Sequence, residues 1–380
     1  MNVSTYLYKN NKLENSLNAN NFIQQTCQLV IGFGEKNTLS NSSSYDLLRD
    51  LFPKATIALC STAGEIYNSE VLDDSLSVTA ITFDKTEVHS SSVNIDSYSS
   101  SFEAGVELIK NLSQDNLKYI FTLSDGGKVN GSELVRGIES VIHHSVPVTG
   151  GLAGDGANFK STLVGLNETP QVGNILAVGL YGDSIKIGHG SMGGWEMFGL
   201  EKKITKSTAN ELFEIDNQCA LDVYKQYLGT YADDLPSSAL LFPLSIKLDN
   251  DSESVVRTIL SINNETKSMV FAGDVPEGSK VRFMKANFDK LIDAASDAAE
   301  NSLVGIKDQK PKLAILISCV GRKIILSKRV DEEVEAVIDI LGKDVVTTGF
   351  YSYGEISPFN INGKCELHNQ TMTITTFDEI

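Results

Sequence analysis

Residues 147–156, PVTGGLAGDG, carry a short β-branched strand straight into a glycine-rich turn. Reading outward from it, the apolar run 119–123 (YIFTL) is a buried strand. Leu134, Ile138 and Ile142 share one face of a helix near 132–143, the strand 146–149 enters the turn 150–156, and 175–181 forms a further strand. The same succession occurs twice more. Strand 29–33 (LVIGF), a helix near 44–52 that stops at Pro53, strand 55–60, turn 61–66 (STAGEI) and strand 76–83 form one copy. Strand 313–318, a helix near 331–341, strand 345–348, turn 350–356 (FYSYGEI) and strand 372–377 form another. From first strand to turn glycine the distance is 35 residues in two copies (Leu29 to Gly64, Tyr119 to Gly154) and 41 in the third (Leu313 to Gly354). Spacing this regular predicts one supersecondary unit used three times, hence an α/β fold of pseudo-repeated strand–helix–strand units in mixed sheets.

Outside the repeats, Phe288, Leu291, Ile292, Ala295, Ala299 and Leu303 mark one stripe of a helix over 287–303. Segments 185–199 and 240–283 read as β-rich, with hairpins at Asn263–Asn264 and at 275–278 (VPEG), and 203–228 as a β piece followed by a helix. Gly342 stands where a left-handed helix cap belongs.

Composition narrows the function classes. The chain has 380 residues, is 41 % hydrophobic and carries only 8 Pro, which makes it a folded protein of two or three domains with a core that needs no staples. Its 49 acidic against 32 basic residues give a net charge of −17, which repels phosphate backbones and anionic headgroups and argues against nucleic-acid or membrane partners. The scattered cysteines Cys27, Cys60, Cys219, Cys319 and Cys365 form no CxxC pair and suit free thiols in a reducing compartment. Residues 1–22 lack the apolar core of a signal peptide, and no apolar run reaches the ~18 residues of a membrane span, so a cytoplasmic location is expected.

The candidate site starts at the three turns, because strand C-termini of open α/β sheets present backbone N–H groups to ligands. Ser61, Thr62, Gly64 and Glu65 come from the first turn; Gly151, Gly154 and Asp155 from the second; Tyr353, Gly354 and Glu355 from the third. Two readings fit: the glycines serve only backbone conformation and packing, or three equivalent acidic turns share one pocket. Glu65 and Glu355 occupy equivalent positions, where two close carboxylates would serve acid–base work or ammonium recognition, and where each could instead cap its own loop. No G-x-G-x-x-G and no P-loop is present, which rejects dinucleotide and triphosphate cradles. Arg322 is a candidate carboxylate clamp, with a pairing to Glu332 or Glu333 as the structural alternative. The five histidines show no zinc spacing, but His189 and His368 lie beside Gly-rich or polar segments, and one histidine suffices to hold haem iron. Cys319 or Ser61 with His368 as base would make a nucleophilic site, though buried strand cysteines are ordinarily structural.

The runs CSTAGEI (60–66), SDGGKVNGSELVRGI (124–138), PVTGGLAGDG (147–156), GHGSMGGWEMFG (188–199), FAGDVPEGSKVRFM (271–284), SCVGRKIIL (318–326), GFYSYGEISPF (349–359) and CELHNQTMTI (365–374) give the chain its family likeness. In this order they resemble the FIST sensory proteins, with an N-terminal domain expected over 1–215 and a C-terminal domain over 216–380. The resemblance implies a bacterial intracellular sensor, not an enzyme, that binds a small amino acid-like metabolite between its domains. It adds Asn369, in the LHN segment, to the candidate ligand contacts. It also implies that output passes in trans to a histidine kinase or cyclic-di-GMP enzyme, with a homodimer as an option. A subset of such proteins binds haem b and responds to nitric oxide; membership would make His368 the first and His189 the second candidate iron ligand. The competing class is a thiol or carboxylate hydrolase using Cys319 and His368.

Overall fold

The computed structural model describes residues 1–9, 12–14, 22–144, 146–247, 254–306, 310–359 and 363–380. The asparagine-rich 15–21 and the stretch 248–253 of the expected β-rich segment lie outside them.

Each repeated unit builds the core of one sheet. The first strand pairs in parallel with the second: Leu29–Gly34 with Thr56–Ser61, Leu117–Ser124 with Val148–Leu152, and Leu313–Cys319 with Val346–Ser352. A parallel pair needs a crossover, supplied by the helices Ser42–Leu51, Gly131–Ile142 and Val330–Leu341. On its other side each first strand pairs antiparallel with the last strand of its unit, Leu76–Thr82, Asn174–Tyr181 or Met372–Glu379. The first strands are therefore central and buried on both faces, which is why they read as unbroken apolar runs.

After each turn the chain leaves its own sheet. Glu65–Tyr67 joins Val346–Ser352 of the third sheet, Val164–Leu166 joins Thr56–Ser61 of the first, and Gly354–Pro358 joins Val148–Leu152 of the second. Three six-stranded sheets of matching order are thus linked in a closed cycle. Alternate side chains of the three first strands (Leu29, Ile31 and Phe33; Tyr119, Phe121 and Leu123; Leu313, Ile315 and Ile317) meet in one core. Phe33 stacks on Phe350 with centroids 4.7 Å apart, and the void left along the axis is about 10 Å³. Each such side chain contributes about 1.5–3 kcal/mol on burial, so the prism is held chiefly by its interior.

A fourth sheet of eight strands, with Glu196–Thr208, Glu211–Ile215 and Lys280–Lys285 at its heart, packs its own core against the helix Ala220–Leu228. The position 215/216 falls between Glu211–Ile215 and its paired strand Gln218–Cys219. Residues 263–264 form the expected hairpin between Ile259–Asn263 and Ser268–Phe271. Residues 275–278 do not, because Ser268–Phe271 and Lys280–Lys285 pair with different partners, Glu211–Ile215 and Glu196–Thr208.

The helix Phe288–Leu303 begins at the N-cap Asn287, whose side chain accepts from Lys290 N. Its buried face is Leu291, Ala294, Ala295, Ala298, Ala299 and Ser302, whereas Phe288 is 43 % exposed. Small residues are required there because the helix lies directly on the strand Ile185–Met192: a Cβ on Gly188 would stand 1.8 Å from Ser302 O, and one on Gly190 2.2 Å from Ala298 O. Gly342 has φ +94° and ψ 148°, a conformation reserved for glycine but outside the helical left-handed region expected. The cysteines are free thiols, and among the described residues no helix is long and apolar enough to cross a membrane.

Candidate functional site

The three turns do converge, at the end of the prism where the parallel strands terminate. They close on one another through backbone bonds: Ala63 N to Tyr351 O and Tyr351 N to Gly64 O, both 2.8 Å, Gly154 N to Ser61 O at 2.9 Å, and Tyr353 N to Leu152 O at 3.1 Å. Ser61 Oγ donates to Gly154 O at 2.7 Å and accepts from Leu163 N at 2.8 Å. Gly151 and Gly154 are packing glycines, since a Cβ would stand 2.9 Å from Ile317 Cγ2 and 2.8 Å from Ala63 N respectively. Gly64 takes φ +137° beneath the Lys323 ammonium, and Gly354 is fitted against Leu367 and Leu152.

The turn acids have equivalent duties. Glu65 accepts from Thr62 Oγ1 at 2.5 Å and Ser75 Oγ at 2.7 Å; Glu355 accepts from Ser352 Oγ at 2.6 Å and from Thr371 Oγ1 at 2.9 Å. Asp155 accepts from Ser161 N at 3.1 Å, Lys160 N at 3.2 Å and the Tyr353 hydroxyl. Each acid fastens its own turn to the next loop, and no hydrogen bond joins Glu65 to Glu355. Burial pushes both glutamate carboxyls up to about 7, against the pull of their hydroxyl donors. The loop-capping reading describes them, and the shared ammonium pocket does not form.

Arg322 is fully buried and engaged. Nε and Nη2 donate to Glu333 at 3.0 and 2.8 Å, Nη1 to Gly193 O at 2.8 Å and Nη2 to Leu291 O at 2.7 Å. The clamp expected for a ligand carboxylate is a buried internal ion pair, because the short helix Val320–Leu326 turns this side chain inward onto the crossover helix. Asn369 is also inside, donating from Nδ2 to His368 O at 3.0 Å.

His368 is buried with Nε2 2.9 Å from Ser357 O and its ring edge-on to Phe359; burial holds its pKa down at about 4. His189 lies in a strand paired with Thr375, and burial lowers its pKa too. Haem needs a free ring nitrogen beside a slot for the macrocycle. Both side chains are buried, and neither histidine lines the 10 Å³ central void or either cleft described below, so neither presents a nitrogen to these spaces. Among the described residues no cluster of His, Cys, Asp and Glu could hold a metal ion. Cys319 is buried with its thiol pushed well above the ordinary range by burial, and no hydrogen bond joins it to His368.

Open space lies on the flanks of the turn ring. One cleft of about 570 Å³ runs along Ala63, Asp73, Ala157, Val320, Lys323 and Ile324. Another, of about 300 Å³, is walled by the loop 126–131, Leu152, Tyr353 and Phe159 on one side and by Leu260, Asn210 and residues 271–273 of the fourth-sheet part on the other. Phe159 stacks on Tyr353 at 4.6 Å, and the Tyr353 hydroxyl, accepting from Asp155 N and Phe159 N at 3.1 Å each, holds that aromatic plate in place. The carboxylate of Asp125 shapes the loop by accepting from Gly127 N and Lys128 N at 2.7 Å. Gly126 is needed where the loop passes the second turn, since a Cβ there would stand 2.0 Å from Ala153 O. Of the residues expected at the site, Tyr353 alone lines this cleft. Lys128, Phe159, Asn210 and residues 271–273 were not anticipated; the glycine-rich run 126–131 ahead of a helix was the available signal.

The FIST N domain model matches residues 28–218 and the FIST C domain model residues 220–358. No curated protein matches the chain. Among solved structures, cyanuric acid hydrolase from A. caulinodans is similar at 7 % identity, covering 94 % of this chain and 91 % of that one with a TM-score of 0.37. A second cyanuric acid hydrolase structure is similar at 8 % identity, covering 100 % and 99 %, with a TM-score of 0.36. Likeness that loose carries no inference about fold or chemistry. The two family models, in order and nearly contiguous over 28–358, show that the chain belongs to the FIST family, whose domains are small-ligand sensing domains of signalling proteins.

Proposed function

We propose that this chain is a non-enzymatic signalling sensor that admits a small metabolite of amino acid size to the 300 Å³ cleft and relays its occupancy to a separate partner. The observation that carries the reading is the make-up of the cleft: Leu152 and Asn210 come from the FIST N part, Leu260, Phe271 and Tyr353 from the FIST C part. A ligand held by both parts stabilises whichever arrangement of them grips it better, and that unequal affinity is what a sensor requires. The volume is at the small end of ligand pockets, and the lining of aromatic and aliphatic side chains with a few polar groups is typical of them. A histidine kinase or a cyclic-di-GMP enzyme acting in trans, and pairing of two copies, are the outputs most in keeping with a sensing domain of this family. The buried Cys319 and His368, with no hydrogen bond between them, favour the sensor over a hydrolase.

The test is mass spectrometry of small molecules released from the purified protein, alongside a metabolite thermal-shift panel, on wild type and Leu260→Trp. Leu260 is 47 % exposed, so tryptophan there fills the cleft without disturbing the core. A released compound, or a metabolite that raises the wild-type melting temperature, is expected to lose its effect in the variant. A ligand that binds both proteins equally would move the site elsewhere.

A further inference from the structure

The three units can be compared at one position. In each, a lysine follows the first strand, in the segment that meets the turn arriving from a neighbouring unit: Lys36 and Lys323 on the short helices Lys36–Ser40 and Val320–Leu326, Lys128 on a loop. Lys36 lies 3.9 Å from Asp155 of the second turn and bonds Ser161 Oγ. Lys323 donates to Ala63 O of the first turn at 2.9 Å, beside Asp73 and over the Tyr351 ring. Lys128 is the counterpart for the third turn, yet its ammonium points away, to Asp96 at 2.7 and 2.9 Å. Between its loop and Tyr353 of that turn lies the 300 Å³ cleft, and Lys128 does not bond the third turn as Lys36 and Lys323 bond the turns they face.

A second cation stands behind the opposite wall. Arg257 is fully buried, donating from Nε to Asp274 O at 3.0 Å and from Nη1 to Leu367 O at 2.9 Å, and among the described residues no carboxylate reaches ion-pair distance of it. Burial lowers its pKa only to about 10, so it remains charged at neutral pH. It lies against Gly273 of the cleft wall, where a Cβ would approach its Nε to 2.9 Å. The acids nearby are already held: Asp274 by Arg136 and Asn130, Glu366 by Lys364, and Asp125 by its loop amides and Gly173 N.

We propose that the cleft selects a small molecule with a carboxylate on a flat or apolar body, and that Lys128 exchanges Asp96 for that carboxylate when the cleft fills. The proposal rests on the cleft being the ligand site. The partners of the present pair are 46 and 64 % exposed, so the pair is weak and readily surrendered to a charge-assisted bond in a partly dry cleft. Asp96 belongs to the turn Ile95–Ser97 that leads into helix Ser101–Lys110, so its release marks the surface a partner would read.

The test is isothermal titration of the full chain with benzoate and phenylacetate against the neutral benzamide and phenylacetamide. Wild type is expected to bind the carboxylates about tenfold tighter than the amides, the loss typical of one charged hydrogen bond. Lys128→Met should abolish that preference, and Asp96→Asn should tighten carboxylates alone. Equal binding of acids and amides by wild type, a preference that survives Lys128→Met, or no binding of any probe overturns the proposal. Equal binding that Leu260→Trp abolishes leaves the cleft standing and removes the carboxylate assignment, whereas carboxylate preference undiminished in Leu260→Trp removes the cleft itself.

Discussion

Glu65 and Glu355 are buried acids whose partners among the described residues are hydroxyls and backbone amides, with no cation of those residues within bonding distance. Their carboxyls, at about 7 when folded against 4.5 for the ordinary glutamate, make folding favour the protonated form. The stabilising contribution is therefore full below about pH 4.5 and is lost as pH rises through 7, on the order of 2–3 kcal/mol for each carboxyl. Wild type should show urea midpoints that fall between pH 5 and 8, and the Glu65→Gln/Glu355→Gln double variant, which imitates the neutral acids, a distinctly shallower fall. Equal slopes would show that both carboxyls are ionised throughout. The sequence marked these two residues as equivalent and acidic. It could not mark their partners, because Ser75 and Thr371 lie 10 and 16 residues further along, in polar stretches without periodicity.

At the level of elements, the helices Ser101–Lys110 and Gly131–Ile142 touch through glycine: a Cβ on Gly137 would stand 2.2 Å from Phe102 O, and one on Gly105 2.5 Å from Leu134 O. Gly137→Ala gains about 1 kcal/mol of helix propensity and forces the helices apart, which typically costs 1–3 kcal/mol or more. The expected result is a net loss of about 1–2 kcal/mol in urea unfolding, and a variant as stable as wild type would mean the pair is loosely packed. Helix 131–142 was legible because Leu134, Ile138 and Ile142 repeat at helical spacing. Strands such as Val164–Leu166 and Glu65–Tyr67 were not, since three residues are too few to show alternation. Their pairing comes from a neighbouring sheet's need for an edge partner. Phe288 was placed on the buried stripe by its hydrophobicity; the glycine-lined groove over Gly188 and Gly190 selected alanines instead.

For the molecule as a whole, the repeat predicted three units and each builds one of the three six-stranded sheets, but nothing in the spacing signals that each unit lends a strand to another. The consequence is that the two FIST parts are not separable bodies. The third sheet takes Ile185–Met192, Glu65–Tyr67 and Glu70–Leu72 from the first half of the chain and Leu313–Cys319, Val346–Ser352 and Met372–Glu379 from the second. A fragment of residues 1–219 should lack a cooperative thermal transition and bind a hydrophobic dye through its uncovered inner faces. Co-expression with 220–380 should restore the transition and co-purify both pieces. A fragment that melts cooperatively by itself would contradict the interlocked arrangement. Closure of the cycle also bears on time as well as strength. Each sheet is completed only by a strand lent from another unit, and the second and third sheets need strands from both halves of the chain, so the last step of assembly joins contacts far apart in the chain and is slow. Interactions completed only at that step act mainly on the rate of escape, so the closed cycle holds the folded chain by slow unfolding as well as by strength.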